Sequence, residues 1–163
     1  MAITINGAGT ITGLSTGGLP DGSVDADTLA SSIDLGKVLQ IVQGKASIQV
    51  STTSTSFTAT GLNVTITPSS TSSKVLILGT THANAGGNTA IFALYRDDTT
   101  NIGSFGYQTG AASYQDVGFT ILDTPSTTSA TEYEVYYRSN TGDSVSCAPN
   151  DISHYIIAIE IAG

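Results

Sequence analysis

From Lys37 to the C-terminus, every apolar run is short and closes on Gly, Pro, Asn, Asp or Ser. Runs of about 4–8 residues bounded in this way read as strands, whereas a helix core repeats its apolar positions over longer windows. Strands are expected at 37–43, 46–50, 56–60, 62–67, 74–80, 89–96, 116–123, 131–138, 144–147 and 154–161. Gly61, the polar stretch 68–73, the turn 97–101 and Pro125 punctuate them. In 131–138 the residues alternate. Tyr133, Val135 and Tyr137 take one face; Glu132, Glu134, Tyr136 and Arg138 take the other. The run Val75-Leu76-Ile77-Leu78 is apolar throughout, as in a strand covered on both faces. No amphipathic helix separates the strands. The expected fold is all-β, a jelly-roll-like antiparallel β-sandwich.

The final run, 154–161, is apolar at nearly every position. An exposed edge strand of that kind is an aggregation hazard. We therefore expect a central strand whose outer face meets a symmetry mate.

Residues 1–36 read differently. The stretch from Gly7 to Gly22 is dense in glycine and carries isolated apolar residues with no period long enough to bury a face. Such a segment does not offset its ordering entropy by local packing. It is expected to be an N-terminal docking arm, with Ile3, Ile5, Ile11, Leu14 and Leu19 as particle-docking anchors and 37–163 as the sandwich. Pro20-Asp21-Gly22 signals a turn. One or two helical turns are expected over 25–32, capped by Asp25 or Asp27.

Charge narrows the partners. Charged residues make up 11% of the 163-residue chain, the net charge is −8, and the five basic residues (Lys37, Lys45, Lys74, Arg96, Arg138) are scattered. Nucleic-acid binding needs clustered cations against phosphate, and an anionic membrane surface needs the same. Neither partner is expected. Cys147 is the sole cysteine, so no intrachain disulfide forms, and it reads as a small buried residue. The N-terminus shows no secretory signal and no apolar segment of spanning length, which points to assembly in the cytoplasm.

The usual constellations of catalysis are missing. The arm glycines lack the Lys-Ser/Thr of a phosphate loop, and no Gly-x-Ser-x-Gly elbow occurs. His82 and His154 stand far apart in sequence, outside any zinc spacing, and read as polar residues near strand ends. Asp25/Asp27 and Asp97/Asp98 do not match a calcium loop, and Asp97-Asp98 is more simply a hairpin turn. Glu132 and Glu134 suit a solvated strand face better than a glycosidase pair. No enzyme, cofactor or metal site is expected, a metal on a trimer axis being the alternative left open. Two loops, 83–88 and 103–110, are candidates for contact with a host surface glycan or protein. Asn84, Asn88, Tyr107 and Tyr114 are their candidate residues.

Several stretches resemble a known family. They are Ile3-Thr4-Ile5-Asn6-Gly7, the run from Gly17 to Ala30, and Gly36-Lys37-Val38-Leu39-Gln40. Further on come Ile66-Thr67-Pro68, Ser72-Ser73-Lys74-Val75, Leu94-Tyr95-Arg96-Asp97, the run from Leu122 to Thr131, and Ile159-Glu160-Ile161-Ala162-Gly163. Together they resemble virion structural proteins of marine and cyanobacterial tailed phages, of the capsid-fibre or tail-fibre type. The resemblance implies a homotrimeric component of a phage virion and transfers no catalytic residue. The partner of the arm would be the major capsid protein or a tail adaptor. The arm passes into the globular domain without a shaft, which favours capsid decoration or a short head fibre. The alternative is a tail fibre or appendage that binds a host receptor or glycan.

Overall fold

A computed structural model of the chain describes residues 36–109, 114–147 and 152–163, with the backbone alone at 107–109, and two short strands at 4–5 and 11–12. The chain divides into two compact units, Met1–Asp34 and Leu35–Gly163. In the first, β1 (Thr4–Ile5) pairs antiparallel with β2 (Ile11–Thr12), Ile5 opposite Ile11 in register. Ile3, Leu14, Leu19 and the helical turns expected over 25–32 lie outside the described residues.

Among its described residues the second unit holds ten strands: β3 (Val38–Ala46), β4 (Val50–Thr52), β5 (Thr58–Ile66), β6 (Lys74–Asn84), β7 (Thr89–Arg96), β8 (Thr100–Thr109), β9 (Gln115–Asp123), β10 (Thr131–Ser139), β11 (Val145–Cys147) and β12 (His154–Ile161). No helix occurs among the described residues, so none of them is long and apolar enough to cross a membrane. The expected all-β class is the observed one, in a β-sandwich-like arrangement of two antiparallel sheets. One sheet has the order β5-β10-β7-β8. The other runs β3-β12-β6-β9. Beyond Thr80, where β12 ends against β6, β11 takes over the same edge at Ala83 and Asn84, and β4 flanks β11. The C-terminal strand is central, as expected, between β3 and β6.

Two expectations need correction. The stretch expected as a loop over 103–110 is strand as far as it is described, because β8 runs to Thr109. Gly106 misleads because it serves a bulge. Phe105 pairs with Phe92 and Tyr107 with Ile91, so Gly106 is an extra residue, and its φ of 64° suits the left-handed position of such a bulge. Likewise 56–60 and 62–67 are not two strands. β5 passes through Gly61 (φ 77°) at an irregularity opposite Val135, and the Gly61 amide donates to Glu134 Oε1 at 2.7 Å. The Asp97-Asp98 turn is as expected. Both residues have positive φ, and Thr99 N donates to Arg96 O.

The inward faces build one core. Leu62, Val64 and Ile66 on β5, Phe92 and Leu94 on β7, and Tyr133, Val135 and Tyr137 on β10 meet Val75 and Ile77 on β6, Val117 and Phe119 on β9, and Ile156 and Ala158 on β12. Burying side chains of this size contributes about 1.5–3 kcal/mol each. Along one side, β3 crosses β5 so closely that a Cβ on Gly44 would strike the Asn63 carbonyl.

Two polar ties, one partly and one fully buried at its carboxylate, join separate elements. Arg96 Nη1 on β7 donates to both carboxylate oxygens of Asp123 on β9, at 3.0 and 2.7 Å, and the Tyr133 hydroxyl on β10 donates to Asp123 Oδ2 at 2.8 Å. Burial, with Asp123 alongside, pushes the Tyr133 phenol well above its ordinary range. Glu160, fully buried on β12, accepts from Gln40 Nε2 (2.6 Å) and from the Ser69 amide and hydroxyl (2.7 Å each). Desolvation by burial raises its pKa. Hydrogen bonds from the Gln40 and Ser69 side chains and the Ser69 amide outweigh it and bring the carboxyl down to about 2.

Candidate functional site

The residues expected to touch a receptor stand at the end of β6 (Asn84), just before β7 (Asn88), within β8 (Tyr107) and just before β9 (Tyr114). Asn84 ends β6, and its Oδ1 accepts from the Gly86 amide at 2.8 Å, an Asx turn that closes the 85–88 connection. The Asn88 amide completes that turn by donating to Ala85 O at 2.8 Å. The half-buried Tyr114 hydroxyl lies 3.3 Å from Ser146 Oγ on β11. Tyr107 sits in β8 opposite Ile91. The Asn84 side chain thus shapes the turn, Asn88 enters it through its backbone alone, and Tyr114 is engaged with its own domain.

What the sequence left apart, the fold joins. His82 on β6 and His154 at the start of β12, 72 positions away, come within 3.4 Å between their Nδ1 atoms. The rings meet edge to face, and His82 Nε2 lies 2.6 Å from Asp116 Oδ1 on β9. His154 is buried at its strand start while His82 stays partly exposed. Cys147 is buried, as expected, with Thr81 Oγ1 at 3.0 Å from its sulfur. Sequence spacing held no signal for this cluster, because β-strand pairing brought it together.

The outer face of the β5-β10-β7-β8 sheet is polar and aromatic. Tyr95 and Tyr136 pack with centroids 4.3 Å apart, Phe57 lies 5.8 Å from Tyr95, and the Arg138 guanidinium sits 5.5 Å over the Phe57 ring. Asp98, Glu132 and Glu134 converge beside them, with the Tyr136 hydroxyl donating to Asp98 at 3.0 Å. The alternation expected for β10 is observed, with one amendment: Glu134 is buried rather than solvated. Burial raises its pKa, the Gly61 amide opposes that, and the Glu132 and Asp98 charges add to it.

The outer face of the β3-β12-β6-β9 sheet is the opposite. Cross-strand register lines up Ile41, Ile159, Leu76 and Leu122 in one row and Gln43, Ile157, Leu78 and Thr120 in the next. Ile41 is 64% exposed and Leu122 55%. The apolar run 74–80, expected to be covered on both faces, is buried on one, and Leu76 and Leu78 are only half-buried on the other.

Compared with protein-family models and with curated proteins, the chain matches none.

Proposed function

We propose that the protein is a structural component of a phage virion, a capsid decoration or short head fibre whose N-terminal segment docks to the particle and whose sandwich is a homotrimeric jelly roll without enzymatic activity. The observation that carries this reading is the strand order. With β4 and β11 as additions, β3-β12-β6-β9 faces β5-β10-β7-β8, and each sheet alternates early and late strands as two nested Greek keys do. Jelly rolls of this kind recur in viral capsid and lectin domains. The separate unit Met1–Asp34 supports an arm distinct from the sandwich. The family resemblance supplies the particle.

The test is a binding experiment on purified phage particles. The full chain is expected to bind them, and a chain lacking residues 1–36 is expected to stay folded and lose binding. Unchanged binding by the truncated chain refutes the docking role.

A second reading, a tail appendage that binds a host glycan, is favoured by the Tyr95–Tyr136–Phe57 cluster and its neighbouring carboxylates. Aromatic faces stack on sugar rings, and carboxylates accept from sugar hydroxyls. Saturable binding to host cells that is lost in Tyr95→Ala would select it over decoration.

A further inference from the structure

We propose that the outer face of the β3-β12-β6-β9 sheet is the surface through which copies of this chain associate. The inference rests on the reading above only in taking the assembly to be a trimer; the surface itself is argued from the fold.

The face is continuous across four strands. Its first row, Ile41-Ile159-Leu76-Leu122, holds no polar side chain, and the second has Ile157 and Leu78 at its centre. Charged residues stand only toward the ends: Lys74 opposite Ile161, Lys45 opposite Tyr155, and Asp116 opposite His82. Elsewhere this chain has the means to be polar on an outer face, as the other sheet demonstrates, so the apolar rows are not a by-product of composition.

Size supports the assignment. Four strands about 4.8 Å apart, with seven residues along each at about 3.3 Å, span roughly 450 Å² in projection. That flat projection is over half of the roughly 800 Å² per partner that a standard interface buries. Composition then selects the occupant. Transient interfaces are about as polar as ordinary surface, whereas the interfaces of identical subunits are more apolar and depleted of charge at their centre. Exposed apolar residues stand at both edges of the face, Ile41 on β3 and Leu122 on β9. Three such faces turned toward a common axis would bring the β3 edge of one copy against the β9 edge of the next, covering both.

The experiment is a solution mass measurement on the full chain by light scattering. The wild-type chain is expected at three times 16.6 kDa. The double variant Ile41→Lys, Leu122→Lys is expected at the mass of one copy, with unchanged far-ultraviolet dichroism. Both positions are exposed in the single copy, so the fold tolerates them. Thr65→Lys, on the outer face of β5, is the control and is expected to keep the trimer. A monomeric wild-type chain, a double variant that keeps its mass, or a control that also dissociates overturns the assignment. Failure here is separable from failure of the virion reading. A monomer that still binds particles discards the surface and the trimer and leaves the docking role; a trimer that binds none discards the virion role alone.

Discussion

The two sheets of the sandwich share one core and differ in what they show to solvent. The outer face of β5-β10-β7-β8 turns its side chains on one another: Tyr136 on Asp98 and Tyr95, Arg138 on Phe57, Glu134 on the Gly61 amide. The outer face of β3-β12-β6-β9 offers rows of Ile and Leu with no partner of their own in the single copy. Both sheets alternate with the same period, so the difference lies in residue choice at the outward positions. A face that satisfies itself is suited to water or to a polar ligand. A face that does not is suited to being covered, which is why the two are assigned different roles.

The comparison assumes that both faces belong to one sandwich, and the strongest way to break it is at the tie between the sheets. Asp123→Ala leaves Arg96 mostly buried without its carboxylate and Tyr133 without its acceptor. It is expected to cost about 3 kcal/mol in chemical denaturation, the lower end of the range for a broken buried pair, because this one keeps some exposure. A loss under about 1 kcal/mol would mean that the layers are held by apolar packing alone.

Next in size is the contrast between the faces. Ile159→Asp is expected to weaken self-association by at least ~100-fold, about 2.7 kcal/mol, in sedimentation equilibrium, whereas Thr65→Asp leaves it within about twofold. Equal effects would erase the distinction.

Glu160 sharpens the inward side of the apolar sheet. Its folded pKa of about 2 lies below the ordinary carboxylate value of about 4.3. A depressed folded pKa contributes stability that is fully present above the unfolded value and is lost as pH falls from about 4.3 toward 2. Glu160→Gln sets an amide donor against the Gln40 donor. It is expected to cost about 1–2 kcal/mol at pH 7 and to flatten the acid limb of a melting-temperature profile in that window. An unchanged limb would assign acid sensitivity to other groups.

The smallest effect is expected on the polar face. Tyr136→Phe removes one exposed hydrogen bond to Asp98 and should cost about 0.5 kcal/mol. A loss above about 2 kcal/mol would show that this face is not the self-sufficient surface described above.

Much of the fold was legible in the order of residues alone. Runs bounded by turn residues marked strands at 89–96 and 154–161 to the residue, and the two faces of 131–138, because strand formation and facing depend on period and punctuation that neighbouring residues carry. Irregular strands were harder. Gly61 and Gly106 read as breaks because a bulge and a loop use the same residue; only the partner strand, by continuing its ladder past them, tells the two apart. The centrality of β12 followed from its apolar character, but which strands flank it did not. Pairing order, the contact of His82 with His154, and the Arg96–Asp123–Tyr133 tie were decided by tertiary structure alone. Residues 72 positions apart meet only after the sheets have assembled, and one strand's alternation pattern is compatible with many neighbours until a shared core selects among them.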